Sequence, residues 1–265
     1  MSPLARERLK RLTVLQEVDS TNSALQRLSA HEQHAHVILA ERQSRGRGRR
    51  QKSWHSPSGC NIYLSLGWCF PAGDLALSTL PLAAAICICR ALSRSGVRDH
   101  GIKWPNDILA GGSKLAGILL EMQTTAGGPS HVVLGIGINV DMQQKNETRK
   151  AADAAIDRKW TDVKSHLGDG REDFSRNGLV ALLLEELLVG VAEYAISGFN
   201  SFASEWDKLD LLKGQPIKLL HQGASSAGIA RGISEDGGLL LEQVAADGQR
   251  KNRVFHAGEV SVQNV

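Results

Sequence analysis

From Val97 to Val140 the chain reads VRDHGIKWPNDILAGGSKLAGILLEMQTTAGGPSHVVLGIGINV, a series of short apolar segments separated by turns. The turns fall at Pro105-Asn106-Asp107, Gly111-Gly112 and Gly127-Gly128-Pro129, and these residue types favour tight reversals. Strands joined in this way pair antiparallel, because a parallel return needs a crossover of a dozen or more residues. The sequence therefore predicts antiparallel strands at Val97–Trp104, Ile108–Ala110, Leu115–Met122 and His131–Val140.

On the N-terminal side of this stretch, apolar periodicity predicts helices and strands in alternation. They are a helix N-terminus at Asp19–Asn22, a strand at His36–Ala40, a strand at Asn61–Trp68 and a helix at Leu75–Ser95. The strand at Asn61–Trp68 alternates, which places Ile62, Leu64, Leu66 and Trp68 on one face. Gly96 is suited to end the helix that precedes it.

On the C-terminal side, the polar segment Asp141–Asn177 predicts a long surface excursion. Two helices follow, at Leu179–Tyr194 and Phe199–Leu209. After Lys213 the pattern changes to short strands separated by glycine-rich turns, which indicates a small β-barrel. Its predicted strands are Pro216–Leu220, Ala227–Ile233, Leu239–Gln243, Arg253–His256 and Glu259–Val262. The sequence thus predicts a main domain at residues 1–211 and a small domain at 212–265.

The composition is that of an ordinary globular protein, with 265 residues, 42% hydrophobic, 22% charged and a formal net charge of +3. This charge is too small to indicate a nucleic-acid-binding protein by itself. No apolar run approaches the ~18 residues of a membrane span, and the N-terminus lacks a secretory signal, so we expect a cytoplasmic protein without a membrane partner. The cysteines lack zinc-ligand spacing, and Cys87 and Cys89 lie in an apolar run, which predicts inert core thiols.

The most unusual segment is Gln43–Trp54, QSRGRGRRQKSW, called here the Arg/Gly loop. Glycines at Gly46 and Gly48 allow positive φ and close approach to a ligand, and the interleaved arginines suit phosphate oxygens. The alternative is a solvated RGG-like segment that contacts RNA. The position of the loop between two predicted strands favours a phosphate-binding pocket.

Three other segments contain residues that could act on a ligand. Asn106 and Asp107 at the tip of a rigid turn could bind nucleotide or Mg²⁺, although Pro-Asn-Asp is also a common plain turn. Lys114 could counter negative charge at a reacting phosphate, or it could be a solubilising residue at a strand edge. Gly135-Ile136-Gly137 lacks the following helix of a dinucleotide loop, so Asn139 is the better candidate for a ligand contact.

The order and spacing of these segments resemble the biotin–protein ligase family, which includes bacterial biotin–[acetyl-CoA-carboxylase] ligases. The motifs that carry the resemblance span residues 13–140 and end with Lys114-Leu115-Ala116-Gly117-Ile118-Leu119 and Gly135–Asn139. The resemblance implies an α+β fold, with a mixed, largely antiparallel sheet flanked by helices like a class II synthetase core. It also implies that the C-terminal barrel is SH3-like, and that the chain uses ATP and Mg²⁺ to activate biotin for transfer to a lysine of a biotin carboxyl carrier protein.

The same resemblance implies a role for each candidate residue. Lys114 and Arg49 are the implied catalytic residues, and Asp107 is the implied Mg²⁺ ligand. The implied biotin-binding residues are Ser20, Thr21, Asn22, Gln43, Arg47, Gly48, Arg49, Lys114 and Gly117. The implied ATP- or adenylate-binding residues are Arg47, Arg49, Arg50, Trp54, Asn106, Asp107, Lys114 and Asn139.

The chain departs from the family pattern at Gln51, where the Arg/Gly loop commonly has a further glycine. If that position needs positive φ, Gln51 is strained there. Some members carry an N-terminal DNA-binding domain, but the residues before Ser20 are too few for two helices and a turn, so we expect no DNA binding. The expected assembly is a monomer or homodimer. The remaining alternatives are a lipoate or octanoate protein ligase and, with little aromatic content to support it, a nucleic-acid-binding module.

Overall fold

The computed structural model describes residues 1–73, 76–124, 127–142, 146–156, 159–168, 173–245 and 248–262. The helices are α1 (Pro3–Arg8), α2 (Thr21–Gln26), α3 (Ala30–Gln33), α4 (Leu80–Ser95), α5 (Asn146–Ala155), α6 (Arg176–Ser197) and α7 (Ala203–Leu209). The strands of the first sheet are β1 (Arg11–Val18), β2 (His36–Gln43), β3 (Asn61–Phe70), β4 (His100–Lys103), β5 (Asp107–Ala110), β6 (Ser113–Thr124) and β7 (Ser130–Asn139). Those of the second are β8 (Pro216–His221), β9 (Ala224–Ile233), β10 (Leu239–Val244), β11 (Arg250–Phe255) and β12 (Glu259–Val262).

The first sheet is mixed and has the order β1-β2-β3-β7-β6-β5-β4. Only β1 and β2 pair parallel among these described strands, and every other neighbouring pair is antiparallel. The predicted α+β class with a largely antiparallel sheet is therefore confirmed. The strand predicted at Val97–Trp104 is shorter, because Val97 still bonds to the end of α4 and Asp99 has a φ of 54°, which interrupts extended backbone before His100.

One face of the first sheet is covered by α4 and α6, which pack against each other and against the apolar side chains of the strands. Ile62, Leu64, Leu66 and Trp68 are all buried there, as the alternation of β3 predicts. Gly96 ends α4 in the left-handed conformation. The predicted start of this helix, Leu75, lies outside the described residues, and a 3₁₀ turn at Leu77–Thr79 precedes α4.

The core helix α4 also contains two of the four cysteines. Cys87 and Cys89 are buried, and burial raises the pKa of the Cys87 thiol to about 12, as expected for an inert core residue. With its preceding turn, the helix is long and apolar enough to meet the length and hydropathy of a membrane span, at Leu77–Ser95, but 72% of that window is buried inside the protein. This burial is what a core helix requires.

The opposite face of the sheet is covered only in part. Helix α2 lies across β2, β3 and β7, where Leu25 packs with Ile38 and Val133 in a small separate cluster. Ser20 caps α2, since its side chain accepts a hydrogen bond from the Ser23 amide. The rest of this face, toward β6 and β5, is left open beside α2.

The surface excursion predicted at Asp141–Asn177 is wrong for its central part. The described residues there include α5, and Thr161, Asp162 and Val163 are buried. The segment is held inward because Lys114 exchanges backbone hydrogen bonds with it, donating to the Lys159 carbonyl at 3.0 Å and accepting from the Thr161 amide at 3.0 Å. A short parallel pairing with β6 therefore brings a polar stretch into the structure.

The second sheet is antiparallel, with the order β11-β10-β9-β8-β12. All five predicted strands are present, and β8 to β11 each extend beyond at least one of their predicted ends. The turn between β9 and β10 contacts the turn between β4 and β5. There the Trp104 indole donates a hydrogen bond to the Gly237 carbonyl at 2.9 Å. The C-terminal sheet therefore lies close to the turn that contains Asn106 and Asp107.

Candidate functional site

A cavity of about 460 Å³ lies on the open face of the first sheet. Every site residue expected from the sequence lines it: Ser20, Thr21, Asn22, Gln43, Arg47, Gly48, Arg49, Arg50, Trp54, Asn106, Asp107, Lys114, Gly117 and Asn139. These residues come from α2, the Arg/Gly loop and four strands or turns that are distant in the chain. The structure thus brings the whole predicted set to one place.

The floor of the cavity is formed by alternate residues of β6 and β7. Leu109 pairs with Lys114 and Ile108 with Ala116, so Leu115 is an extra residue that makes a β-bulge in β6. A bulge changes which residues face a given side of the sheet, and here it leaves Lys114 on the cavity side with Gly117 and Leu119. Gly117 pairs with Gly137, and both lie under the Trp54 indole, since a Cβ on either would lie within 2.9 Å of that ring.

At the α2 end, the cavity wall is a network of buried polar groups. Gln43 Oε1 accepts hydrogen bonds from the Thr21 amide at 2.9 Å and the Thr21 hydroxyl at 3.2 Å. Ser65 Oγ lies 2.5 Å from Asn22 Oδ1 and 2.7 Å from Thr21 Oγ1. Because buried polar groups need partners, this network fixes the side chains that would recognise a polar ring.

The Arg/Gly loop folds back on itself over the cavity. Gly48 donates to the Lys52 carbonyl at 2.7 Å, and Trp54 donates to the Gly46 carbonyl at 2.9 Å. Gly46 and Gly48 do not use the positive φ that glycine allows; within the loop, the residues with positive φ are Arg50, at 55°, and Gln51, at 60°. Gly46 instead permits close packing, since a Cβ there would lie 2.7 Å from both Ser56 Oγ and the Trp54 carbonyl.

The conformation of Gln51 gives a testable consequence. A non-glycine residue in the left-handed region is strained by roughly 1–2 kcal/mol, partly offset by the greater chain entropy that glycine loses on folding. We expect Gln51→Gly to raise the melting temperature by about 1–3 °C, and Gln51→Val to lower it, because a β-branched side chain fits this region worst.

The control for this pair is Ser58→Gly, at an exposed position outside the positive-φ set. Glycine there relieves no strain, so a small decrease in melting temperature is expected. If Gln51→Gly and Ser58→Gly shift the melting temperature in the same direction, the left-handed backbone at Gln51 is not a source of strain.

At the end of the cavity opposite α2, Lys114 lies between an acidic side chain and an aromatic ring. Its Nζ is 2.6 Å from Asp107 Oδ1 and 5.3 Å from the centre of the Trp54 ring. A cation in this position is oriented by the carboxylate and the ring face, so it is held in the cavity with its charge directed at any ligand that enters. The edge-strand alternative for Lys114 is therefore not supported.

Two asparagines position the surrounding backbone. Asn106 donates to the Ile118 carbonyl at 2.7 Å and accepts from the Arg49 guanidinium at 3.2 Å. Asn139 is buried and donates to the Thr161 carbonyl at 3.0 Å. Asn106 thus links the Arg/Gly loop to β6, and Asn139 links β7 to the segment that contains Trp160.

The cavity wall is predominantly basic. Arg47, Arg49, Arg50, Lys52, Lys103 and Lys114 line it, against the acidic Asp107 and Glu259. Burial, with the neighbouring Arg50, lowers the pKa of the Arg49 guanidinium, but a guanidinium titrates so far above neutrality that it stays charged. The Trp54 indole nitrogen and His55 Nε2 are buried with no hydrogen-bond partner among the described residues. A polyanionic ligand with polar atoms fits this wall.

Some cavity residues were missed by sequence analysis. Ile156 and Trp160 come from the supposed surface excursion, and Glu259 comes from β12 of the C-terminal sheet. Glu259 pairs with Arg50 at 3.4 Å and with Lys52 at 3.2 Å. A tryptophan in an otherwise polar stretch was the one available signal for Trp160, whereas nothing in the pattern of β12 distinguished Glu259.

A metal site made by the protein alone is not found in the described part of the chain, where no three His, Cys, Asp or Glu residues converge. Asp107, the predicted Mg²⁺ ligand, has its Oδ1 in an ion pair with Lys114. These residues do not form a metal cage by themselves.

Comparison with known proteins agrees with this geometry. The Biotin/lipoate A/B protein ligase family matches residues 14–139, and the Biotin protein ligase C terminal domain matches residues 213–262. The bifunctional ligase/repressor BirA of Escherichia coli is 34% identical over 96% of this chain and 74% of its own length. The biotin–[acetyl-CoA-carboxylase] ligase of Paracoccus denitrificans is 31% identical over 93% of this chain and 98% of its own.

Among solved structures, the biotin protein ligase of Aquifex aeolicus in complex with biotin and ATP superposes with a TM-score of 0.75. It is 25% identical and covers 96% of this chain and all of its own. The level of identity and the extent of the matches lead to one conclusion: the chain belongs to the biotin protein ligase family.

Proposed function

We propose that this protein is an ATP-dependent ligase that converts biotin to biotinyl-5′-AMP and transfers it to a lysine of a biotin carboxyl carrier protein. The observation that supports this most strongly is the single cavity lined by every site residue expected from the family motifs. It combines a buried polar network at one end with a basic wall and Lys114 at the other. These two halves match the two halves of a biotinyl adenylate.

The polar half is proposed to hold the ureido ring of biotin, with Ser20, Thr21, Asn22 and Gln43 as its contacts. Thr21 and Gln43 are hydrogen-bonded to each other, and Asn22 is held by Ser65, before any ligand binds, which reduces the ordering cost of binding. Gly117 is proposed to border the acyl chain on the floor, where the lack of a side chain lets the Trp54 indole pack closely, and Gly48 allows the loop to approach the ligand closely. Trp54, stacked on the floor glycines, is proposed to cover the junction between ring and nucleotide.

The basic half is proposed to hold the nucleotide. Arg49 and Arg50 would contact its phosphates from the Arg/Gly loop, Arg47 would reach the adenylate from the ring side, and Asn106, Asp107 and Asn139 would contact it from the sheet side. Closing this loop would also exclude water from an anhydride that hydrolyses readily.

The chemistry proceeds in two steps. A carboxylate oxygen of biotin attacks the α-phosphorus of ATP, the bond to pyrophosphate breaks, and pyrophosphate leaves. The neutral ε-amine of the carrier lysine then attacks the acyl carbon, AMP leaves with the bonding electron pair, and the amine loses a proton as the amide forms. Lys114 is proposed to stabilise the negative charge that builds up between carboxylate and phosphate in the first step.

Several further properties stay predictions. Mg²⁺ is expected to arrive bound to the nucleotide phosphates, the usual arrangement where the protein offers few carboxylates. The division into residues 1–211 and 212–265 is supported by the limits of the two family matches. A cytoplasmic location, a monomeric or homodimeric assembly and a carrier domain of acetyl-CoA carboxylase as acceptor are also proposed.

ATP–pyrophosphate exchange tests the function directly. We expect exchange that depends on biotin and that is absent with lipoate or octanoate. Exchange driven by lipoate or octanoate and not by biotin would establish the other branch of the matched family. Without exchange on any of these acids, the ligase proposal fails.

A further inference from the structure

We propose that Glu121 is a positioning residue that holds the Arg/Gly loop closed over the cavity. A single carboxylate oxygen of Glu121 binds both the loop and the α2 wall of the cavity. Its effect on the reaction rests on the proposed ligase function, whereas its effect on the loop does not.

The geometry of Glu121 is that of a bridge. It lies in β6 two residues beyond Leu119, on the side of the sheet that faces the cavity, but it is not itself part of the cavity wall. Its Oε2 accepts a hydrogen bond from Asn22 Nδ2 at 2.8 Å and one from Arg47 Nη2 at 2.9 Å. The two donors come from α2 and from the Arg/Gly loop, which no strand pairing connects at this point.

On the α2 side, the bridge ends on a group that is held in place. Asn22 is only 3% exposed, and its other amide atom, Oδ1, is bound by the Ser65 hydroxyl. It also lies flat on Gly135, where any side chain would overlap it. Glu121 is therefore fixed by a rigid partner, and its carboxylate is presented to the loop in one orientation.

On the loop side, the bridge ends on a residue that can move. The Arg47 side chain is 40% exposed, and its backbone makes an isolated pairing with Ser53 in the folded-back loop. The tip of the loop is held separately, by Glu259 against Arg50 and Lys52. Glu121 is thus a side-chain tie to the first half of the loop, next to the ring end of the cavity.

This arrangement couples the two halves of the site. A ligand that packs against Asn22 strengthens the orientation of Glu121, and a correctly oriented Glu121 holds Arg47 over the ligand. Losing the charge of Glu121 should free the loop, while the polar network of the α2 wall stays formed if an oxygen remains for Asn22. Glu121→Gln provides that oxygen and removes only the charge.

The first experiment needs no ligand. The loop contains several trypsin sites, so its rate of cleavage in the folded protein reports how often it opens. For Glu121→Gln we expect cleavage within residues 45–52 to accelerate about three- to fivefold, the size expected from losing a half-exposed ion pair. Glu121→Asp, which keeps the charge, should give an intermediate rate.

The matched control is Glu17→Gln. Glu17 pairs with Arg42 at 3.1 Å just before the loop, and both side chains are about half exposed. Neither residue lines the cavity, so the loop of Glu17→Gln should be cleaved at the same rate as the loop of the unmodified protein. If Glu121→Gln leaves the cleavage rate within the range of Glu17→Gln, the proposed tie does not exist.

The second experiment measures retention of the intermediate. With biotinyl-5′-AMP formed from biotin and ATP, we expect Glu121→Gln to raise the release rate about fivefold, with the biotin KM changed less than twofold. A change in KM with an unchanged release rate would assign Glu121 to support of the α2 wall and overturn the loop role. If the unmodified protein makes no biotinyl-5′-AMP, the ligase proposal fails, and the cleavage result still decides whether Glu121 holds the loop.

Discussion

Replacing Lys114 with alanine is expected to reduce biotin-dependent ATP–pyrophosphate exchange by about 10²–10³-fold, the usual cost of removing one preorganised charge at a reacting centre. Lys114 is held at 2.6 Å from Asp107 and above the Trp54 ring, so its charge is oriented before ligands bind. Alanine also leaves Asp107 without this counter-charge beside incoming phosphates, which adds repulsion. The fold should persist, because the Lys114 side chain is partly exposed and its backbone bonds to Lys159 and Thr161 do not depend on it.

The control for this prediction is Lys164→Ala. Lys164 forms an equally short ion pair, 2.6 Å from Asp141, but does not line the cavity. It should keep exchange within twofold of the unmodified protein, and circular dichroism should confirm that both variants are folded. Near-normal exchange in Lys114→Ala would remove Lys114 from the chemical step.

The antiparallel part of the fold was predictable because its signals are local. β4 to β7 are joined by turns of proline, asparagine and glycine, and each strand carries its own apolar pattern. The parallel pairing of β1 with β2 has no such local signal, because its register depends on the path through α2 and α3. The surface position predicted for Lys159–Val163 was wrong for a similar reason. The segment lies inward because its backbone pairs with Lys114 of β6, and the polarity of its side chains does not indicate this pairing.

The residues of the site were predictable from the order of their motifs, but their orientations were not. Ser113-Lys114-Leu115-Ala116 offers no way to tell that Leu115 is the extra residue of a bulge, and without that bulge Lys114 would not share a face with Gly117. Contacts between residues that are distant in the chain also close the cavity, and the sequence did not predict them. Glu259 meets Arg50 only because the C-terminal sheet packs beside the loop.

At Gln51 the backbone decides a point that the sequence left conditional. The sequence raised the question of whether this position takes positive φ, and the structure gives 60° for Gln51 and 55° for Arg50. Two successive left-handed residues at the tip have a conformation that glycine adopts without strain. They also account for the position of Arg50, whose side chain leaves the turn toward Glu259.

Gly135→Ala is expected to weaken biotin binding by about 100-fold, or ~2.7 kcal/mol. A Cβ at this position would overlap Asn22 Oδ1 and lie 2.9 Å from its Cγ, so the Asn22 amide must rotate or α2 must lift from the sheet. Either movement breaks the bonds of Asn22 to Ser65 and Glu121. Leaving buried polar groups unpaired costs about 1–3 kcal/mol each, which accounts for the size of the effect.

The distinguishing measurement for Gly135→Ala compares its effect on biotin binding with its effect on the KM for ATP. Isothermal titration should show the loss for biotin, while the KM for ATP changes less than threefold, because Gly135 lies at the Asn22 end of the floor and Lys114 at the other. Gly73→Ala is the matched control, since a Cβ there meets nothing within 4 Å and its φ is not positive. Equal losses for biotin and ATP would mean that the alanine disturbs the whole sheet, and an unchanged biotin affinity would mean that Asn22 does not contact the ring.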